Sequence, residues 1–322
     1  MKKTFTIIIV LTILLSSCTE KDEKLSPDKI SGDLIVFNAG SLIVPFKKIK
    51  NEFNKKYPDV NVILETAGSR TCARKITDMD RPCDIMASAD YTVINKLLIP
   101  EYADWNIKFA KNEMCIVFHK NSRMSKNINE NNWYEILLDD NVAFGRADPN
   151  ADPCGYRAVL TSKLAEKYYK IPGLANEILN KNKEFVRPKE TDLLALLESE
   201  NIDYIFLYRS VGQQHKLNCL ILPDEINLKS AKFTDYYKEA TVEITGKKPG
   251  EFITKKGTPM VYGITIPNNA PNRKAALAFI DFLLSKESGM KIIEKLGQAS
   301  AIPSKSRTYN SIPESLQKYA KE

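Results

Sequence analysis

Histidine is nearly absent from this chain: His119 and His215 are the only two in 322 residues. No pair of cysteines or histidines has zinc-ligand spacing, which argues against a metal-cation centre of the usual kind as the organising chemistry. Dense runs of lysine and arginine are missing too. Without one, a formal net charge of +7 does not point to nucleic acid, and a small anionic ligand suits it better. There is no repeat array and no low-complexity tract. Also lacking are an activated nucleophile, a histidine beside a paired acid and any cofactor motif, so neither catalysis nor a cofactor is expected. Apolar runs are short: the one over residues 5–15 is too brief for a stable membrane span. With 43% hydrophobic and 27% charged residues, the remainder is an ordinary globular chain, long enough for two domains.

The apolar run at the start has its own meaning. Lys2 and Lys3 precede it and Leu15-Ser16-Ser17-Cys18 ends it, the layout of a secretory signal peptide whose last residues resemble a bacterial lipobox. Residues 1–17 are expected to be removed and Cys18 to carry a lipid. Residues 18–32, charged and containing Pro27, then form a tether, which puts the protein outside the cytoplasm on a bacterial membrane, at its periplasmic side or the cell surface. Cys72, Cys83, Cys115, Cys154 and Cys219 remain, an odd number that leaves at least one thiol unpaired. Cys72 and Cys83 either close a small disulfide loop or are two buried thiols.

Strand, Gly-Ser turn and helix occur twice in the first third. Residues 33–38 read as a strand ending in Gly40-Ser41, and a helix opened by Pro45 runs through Phe46, Ile49 and Phe53 to Tyr57. The strand 60–65, Gly68-Ser69 and a helix over 71–78 repeat the pattern. Both turns put N–H groups and a serine hydroxyl at the carboxyl ends of parallel strands, where open α/β sheets bind ligands. A strand over 83–90 and a helix over 91–98 follow. Strands over 112–119 and 259–267 bracket a separate α/β series: strands at 142–145 and 202–208, helices over 152–169 and 190–198. Helices at 273–285 and 289–296 close the chain. Two connections therefore cross between two lobes around a cleft. Residues 236–257, with a Gly/Lys-rich turn at 246–250, read as a solvated hairpin whose lysines are surface charge.

Within the second lobe, Asp148-Pro-Asn-Ala-Asp-Pro-Cys-Gly-Tyr-Arg157 sets a carboxylate at the mouth of a helix. Asp152 is the N-cap, Pro153 suits the first helical position, and Val159, Leu160, Leu164 and Ala165 carry the helix onward. Asp152 thus lies where backbone N–H groups converge and the helix dipole is positive. Taken singly, Asp152, Ser41 and Ser69 read as caps, Glu190 as a first-turn acid and Tyr208 as a core residue ending a strand.

Taken together, the motifs carry a family resemblance. Asn38-Ala-Gly-Ser-Leu42, Met86-Ala-Ser-Ala-Asp-Tyr91, Asp152-Pro-Cys-Gly-Tyr-Arg157, Gln214-His215, Leu222-Pro-Asp-Glu-Ile226 and Val261-Tyr-Gly-Ile-Thr-Ile-Pro267 resemble the tungstate/molybdate-binding proteins of ABC importers, in the form first described in archaea. The likeness runs from about Asp33 to Pro303. It implies an α/β, type II periplasmic-binding-protein fold: two α/β lobes joined by two crossover strands around a central cleft, lobe I being 33–113 plus 259–322 and lobe II 114–258. It implies a monomer that closes over one oxyanion and delivers it to a membrane permease. Gly40, Ser41 and Ser69 match the family's donors in one lobe. Asp152, Glu190 and Tyr208 match its carboxylates and tyrosine in the other, and Cys154, in the same helix-start motif as Asp152, is expected to bind the oxyanion with them. The segment before Arg187 is short here, so Glu190 is matched through Arg187 and the helix after it. Two acids around a dianion make sense if their oxygens bond the high-valent metal of the oxyanion itself; sulfate and phosphate, which do not expand their coordination comfortably, are then repelled. Rival readings are a binder of another anion, a ferric-iron binder using Tyr168-Tyr169 or Tyr236-Tyr237, a hydrolase or transferase with Asp152 and Glu190 as acid and base, and a sensing or adhesion lipoprotein.

Overall fold

A computed structural model describes residues 30–322 other than Pro249. The expected leader, the acylation site Cys18 and most of the tether lie outside the described residues. The chain opens with β1 (Gly32–Ala39), a turn of 3-10 helix, α1 (Ile43–Lys56), β2 (Val60–Ala67), α2 (Ser69–Thr77), β3 (Ile85–Ser88), α3 (Tyr91–Val93) and β4 (Ile107–Lys111). Then come β5 (Met114–Phe118), α4 (Trp133–Leu138), β6 (Phe144–Ala147), α5 (Pro153–Tyr169), α6 (Leu174–Asn180), β7 (Val186–Arg187), α7 (Asp192–Glu198), β8 (Tyr204–Tyr208), α8 (Arg209–Gln214) and β9 (Asn218–Ile221). A short α9 (Thr234–Tyr237), the hairpin β10 (Thr241–Thr245) and β11 (Phe252–Lys256), β12 (Val261–Thr265), α10 (Arg273–Leu284), α11 (Gly289–Lys295) and β13 (Ala299–Ser300) follow.

Two sheets organise these elements. The first has the order β13-β4-β12-β3-β1-β2 and the second β7-β6-β8-β5-β9. β1 is parallel to β2 from Gly32↔Val60 to Ala39↔Ala67 and parallel to β3, so the three strands end at one edge of the sheet. Leu34, Val36 and Phe37 are buried on both faces of β1, as expected of a strand with helices on each side. α1 buries Phe46, Ile49 and Phe53, and the Phe53 ring meets Phe279 and Phe282 of α10 edge-on at 5.0 and 5.7 Å. Each such ring contributes roughly 1.5–3 kcal/mol by leaving water. The helix begins at Ile43, two residues before the proline that was expected to open it, because the 3-10 turn Gly40–Leu42 already directs the chain.

The chain leaves the first sheet after Lys111 and re-enters it at Val261. At these crossings the Met114 N–H donates to the Asn227 carbonyl (2.9 Å) and the Met260 N–H to that of Leu228 (2.8 Å). β4, α4, α6, α8 and β9 carry too few residues for a legible period and were not expected from the sequence. Cys72 and Cys83 are buried free thiols, the second of the two sequence alternatives. Each approaches a different backbone carbonyl, Cys72 that of Asn38 and Cys83 that of Ile85, and burial pushes both up, Cys72 to about 12. No helix among the described residues is long and apolar enough to cross a membrane.

The hairpin corrects the sequence reading. β10 and β11 pair antiparallel as expected, but Lys255 is no surface charge: it is 7% exposed and its ammonium lies 2.5 Å from Asp90 Oδ2. Strand alternation is the reason. Lys255 and Ile253 lie on the inward face of β11, so the period of two that exposes Phe252 and Thr254 turns this lysine inside.

Candidate functional site

Asp152 is the N-cap of α5, as read from the sequence: its backbone is extended, Pro153 takes the first turn, and Oδ1 accepts from the Cys154 N–H at 2.7 Å. The other oxygen, Oδ2, is buried with no hydrogen-bond partner. Glu190 differs from its expected place. α7 starts at Asp192, which supplies the first-turn acid, and Glu190 lies before the N-cap Thr191. It is completely buried, and neither of its carboxylate oxygens has a hydrogen-bond partner. A buried oxygen without a partner costs about 1–3 kcal/mol, more when charged, and here three lie on two acids. Burial first and the Glu190 carboxyl second push Asp152 well above the usual carboxylate range.

The first sheet presses its turns against these acids. A Cβ at Gly40 would stand 2.8 and 2.9 Å from the two Glu190 oxygens. One at Gly68 would stand 2.4 Å from the Ala151 carbonyl oxygen and 3.1 Å from Asp152 Cβ. The Thr71 N–H donates to that same carbonyl at 3.3 Å. Gly40 directly follows β1 and Gly68 directly follows β2, so the parallel register that ends at Ala39↔Ala67 brings both to the edge that meets Asp152 and Glu190.

Three hydroxyls at this junction share a property. Ser41 Oγ accepts from Tyr262 at 3.0 Å, Ser69 Oγ from the Ala89 N–H at 2.9 Å, and the Tyr208 oxygen from Arg157 Nη1 at 2.9 Å. Each oxygen is thereby occupied as an acceptor, and each proton is left to donate. Ser69 and Arg70 also hold the first two positions of α2, whose N–H groups have no partner within the helix. Tyr208 ends β8; burial raises its hydroxyl well above its ordinary value against the pull of Arg157, and Cys154, Asp152 and Glu190 add to the rise. The Cys154 thiol points at the Phe206 carbonyl (3.6 Å), so this residue contributes its N–H, and that goes to Asp152. The junction thus joins O–H donors with buried acid oxygens, a set suited to an anion whose central atom accepts oxygen ligands.

Sequence reasoning missed the supporting residues. Asn112 Nδ2 reaches Tyr262 Oη (2.9 Å) and Ser210 Oγ (2.7 Å), and Gln298 Nε2 donates to the Ser41 carbonyl at 3.1 Å. Arg157 closes the Asp152-Pro-Cys-Gly-Tyr-Arg157 motif but was given no role there, and only its near-complete burial sets it apart. The paired tyrosines lie elsewhere and are engaged: the Tyr169 hydroxyl donates to the Glu130 carbonyl and accepts from Trp133, and the Tyr237 hydroxyl donates to the Asp224 carbonyl. No group of three or more His, Cys, Asp or Glu able to hold a metal ion occurs among the described residues.

The profile of the bacterial extracellular solute-binding proteins matches residues 34–297. The chain belongs to that family. An uncharacterized solute-binding protein of Petrotoga mobilis is 51% identical over 295 residues, covering 91% of this chain and 92% of that one. The molybdate/tungstate-binding protein of Thermococcus kodakarensis is 42% identical over 316 residues, covering 89% and 88%. Among solved structures, the periplasmic molybdate-binding protein of Azotobacter vinelandii superposes with a TM-score of 0.60 at 14% identity, covering 83% of this chain and 98% of that one, a likeness of fold. The two sheets of this solute-binding protein are accordingly the two lobes of a type II binding-protein fold, with the Asp152–Glu190 junction between them.

The raised Asp152 carboxyl has a consequence that can be measured without any ligand. An acid held above its unfolded value of about 3.9 costs stability as pH rises past that value. Asp152→Asn keeps the cap, so it should raise the midpoint of thermal unfolding of the ligand-free protein by about 2–4 °C at pH 7 and by less at pH 4.5. An equal change at both pH values would show that the acid is not strained.

Proposed function

We propose that this chain captures tungstate or molybdate outside the cytoplasm and hands it to a membrane permease of the ABC type. One observation carries the reading: three unpartnered, buried carboxylate oxygens on Asp152 and Glu190, set against the Gly40 and Gly68 turns. Buried acids facing hydroxyl and N–H donors suit neither sulfate nor phosphate, whose central atoms keep four oxygens. They suit an oxometalate, in which the acids ligate the metal while Gly40, Ser41, Ser69 and Tyr208 address the oxo groups. The named relative from Thermococcus kodakarensis supports the same ligand class. We take the role to be capture, with no cofactor and no reaction, by a monomer held to the membrane through a lipid on Cys18 after loss of residues 1–17. Residues 33–113 with 259–322 then form one lobe and 114–258 the other. Since Asp152 and Glu190 are 1% and 0% exposed, the ligand enters while the lobes are apart and is enclosed as they close.

Isothermal titration of residues 30–322 tests this. Tungstate and molybdate should bind with sub-micromolar affinity, and sulfate and phosphate at least about a thousandfold more weakly, a difference of ~4 kcal/mol. Sulfate or phosphate binding as tightly as tungstate would overturn the oxometalate reading.

A further inference from the structure

Asp90 gathers donors from across the cleft. It follows β3 in the first lobe, where its Oδ1 accepts from the Thr92 N–H at 2.8 Å. Its Oδ2 faces the second lobe. That single oxygen accepts from the Tyr156 hydroxyl at 2.5 Å and from Lys255 Nζ at 2.5 Å, and Arg157 Nη2 lies 3.9 Å away. Tyr156 and Arg157 are on α5. Lys255 is on the hairpin held by α5, through Lys163 Nζ to the Thr241 carbonyl (2.6 Å), and by the loop before α5, through Asn150 Oδ1, which accepts from the Thr245 N–H (2.9 Å). All four side chains are buried, with Asp90 at 2% and Lys255 at 7% exposed.

The side chains of this cluster meet the Asp152–Glu190 junction through Arg157, whose Nη1 donates both to the Ala89 carbonyl in the first lobe and to the Tyr208 hydroxyl at the junction. We infer that Asp90 is a residue that sets the lifetime of the closed state, a latch on which Tyr156, Arg157 and Lys255 converge only when the lobes meet. The inference rests on the capture reading for its ligand arm alone. Opening returns Asp90 and Lys255 to water, where each is well solvated unpaired. Closing buries them, and there each needs the other. Removing the charge of Asp90 therefore penalises the closed state and leaves the open state unaffected, and a ligand enclosed by closure leaves faster.

Asp90→Asn, which keeps the acceptor for Thr92, should weaken tungstate binding about a hundredfold, mostly through faster dissociation in stopped flow, with the association rate changed less than about threefold. Adding Lys255→Met removes the buried charge left behind and should restore at least about tenfold of the loss. A residue that only shapes the start of α3 would show no such rescue. X-ray scattering of the ligand-free proteins reads the latch through the share of molecules that close before any ligand arrives: with that share lost, Asp90→Asn and Lys255→Met should each have a larger radius of gyration than ligand-free wild type. If wild type binds no oxyanion, the capture reading falls and scattering still decides the latch. If Asp90→Asn does not fold, Lys255→Met carries the same test. Unchanged dissociation and unchanged scattering in Lys255→Met would overturn the inference.

Discussion

Asp152→Asn is expected to abolish tungstate binding, by about a thousandfold or more, while the protein stays folded. The substitution separates the two roles of one side chain. Asparagine caps a helix as well as aspartate does, so the acceptor that holds the Cys154 N–H at 2.7 Å is kept. What changes is Oδ2, the buried oxygen with no partner. If Asp152 were only a cap, binding would be untouched, and even complete loss of the cap is worth about 1 kcal/mol, under tenfold in affinity. Two like unit charges about 4 Å apart cost roughly 4 kcal/mol at an effective dielectric of 20, and a dianion between two acids costs more. Only ligation of the metal offsets such a term. Glu190→Gln should therefore behave like Asp152→Asn toward tungstate, and the same two variants should bind sulfate more tightly than wild type does, because a repelling charge is gone. Titration calorimetry with both anions measures this directly. Tungstate binding retained within tenfold in either variant would show that the acid does not touch the metal.

Gly68→Ala should prevent the lobes from closing. Gly68 has φ −56° and ψ 140°, a conformation that any residue adopts, so the substitution strains no backbone dihedral. Its effect comes from contact alone. The new Cβ would stand 2.4 Å from the Ala151 carbonyl oxygen, a backbone atom of the residue before Asp152 that has no rotamer by which to retreat. The lobes must move apart by about 1 Å to restore a van der Waals distance, and the contacts of Asp152 and Glu190 with anything held by the Gly40 turn are lost with that movement. Tungstate affinity should fall at least about a hundredfold, with the thermal midpoint of the ligand-free protein within about 2 °C of wild type. In X-ray scattering, wild type should contract on adding tungstate and the variant should not. Full contraction in Gly68→Ala would show that the turn yields and that its close approach does not govern closure. Gly40→Ala is the milder case, since it meets the end of a side chain, the Glu190 carboxylate.

Much of this was legible in the residues. The twin strand, Gly-Ser turn and helix units, the helix opened by Asp152-Pro153 and the buried strand ending in Tyr208 all depend on signals a few residues wide: an apolar period, a cap, a proline in the first turn. Glu190 was placed by resemblance and its local role misread, because an acid just before a helix and one in its first turn look alike in a string of letters. Lys255 was misread for a different reason. A lysine in a Gly/Lys-rich hairpin is surface charge unless something across the cleft accepts it, and no local pattern shows Asp90, 165 residues earlier. Arg70 is another such residue: its buried guanidinium donates to the Asn150 and Thr245 carbonyls, both far along the chain.

The chain by itself therefore determined the twin strand, turn and helix units of its first third, the turns after β1 and β2 and the capped start of α5, because each depends on forces acting between neighbours in sequence. The pairing of Asp152 with Glu190, the pressing of Gly40 and Gly68 against them and the burial of Asp90 with Lys255 were decided only by the tertiary structure. These depend on how two lobes meet, and the cost of burying a charge is set by what stands opposite it in space.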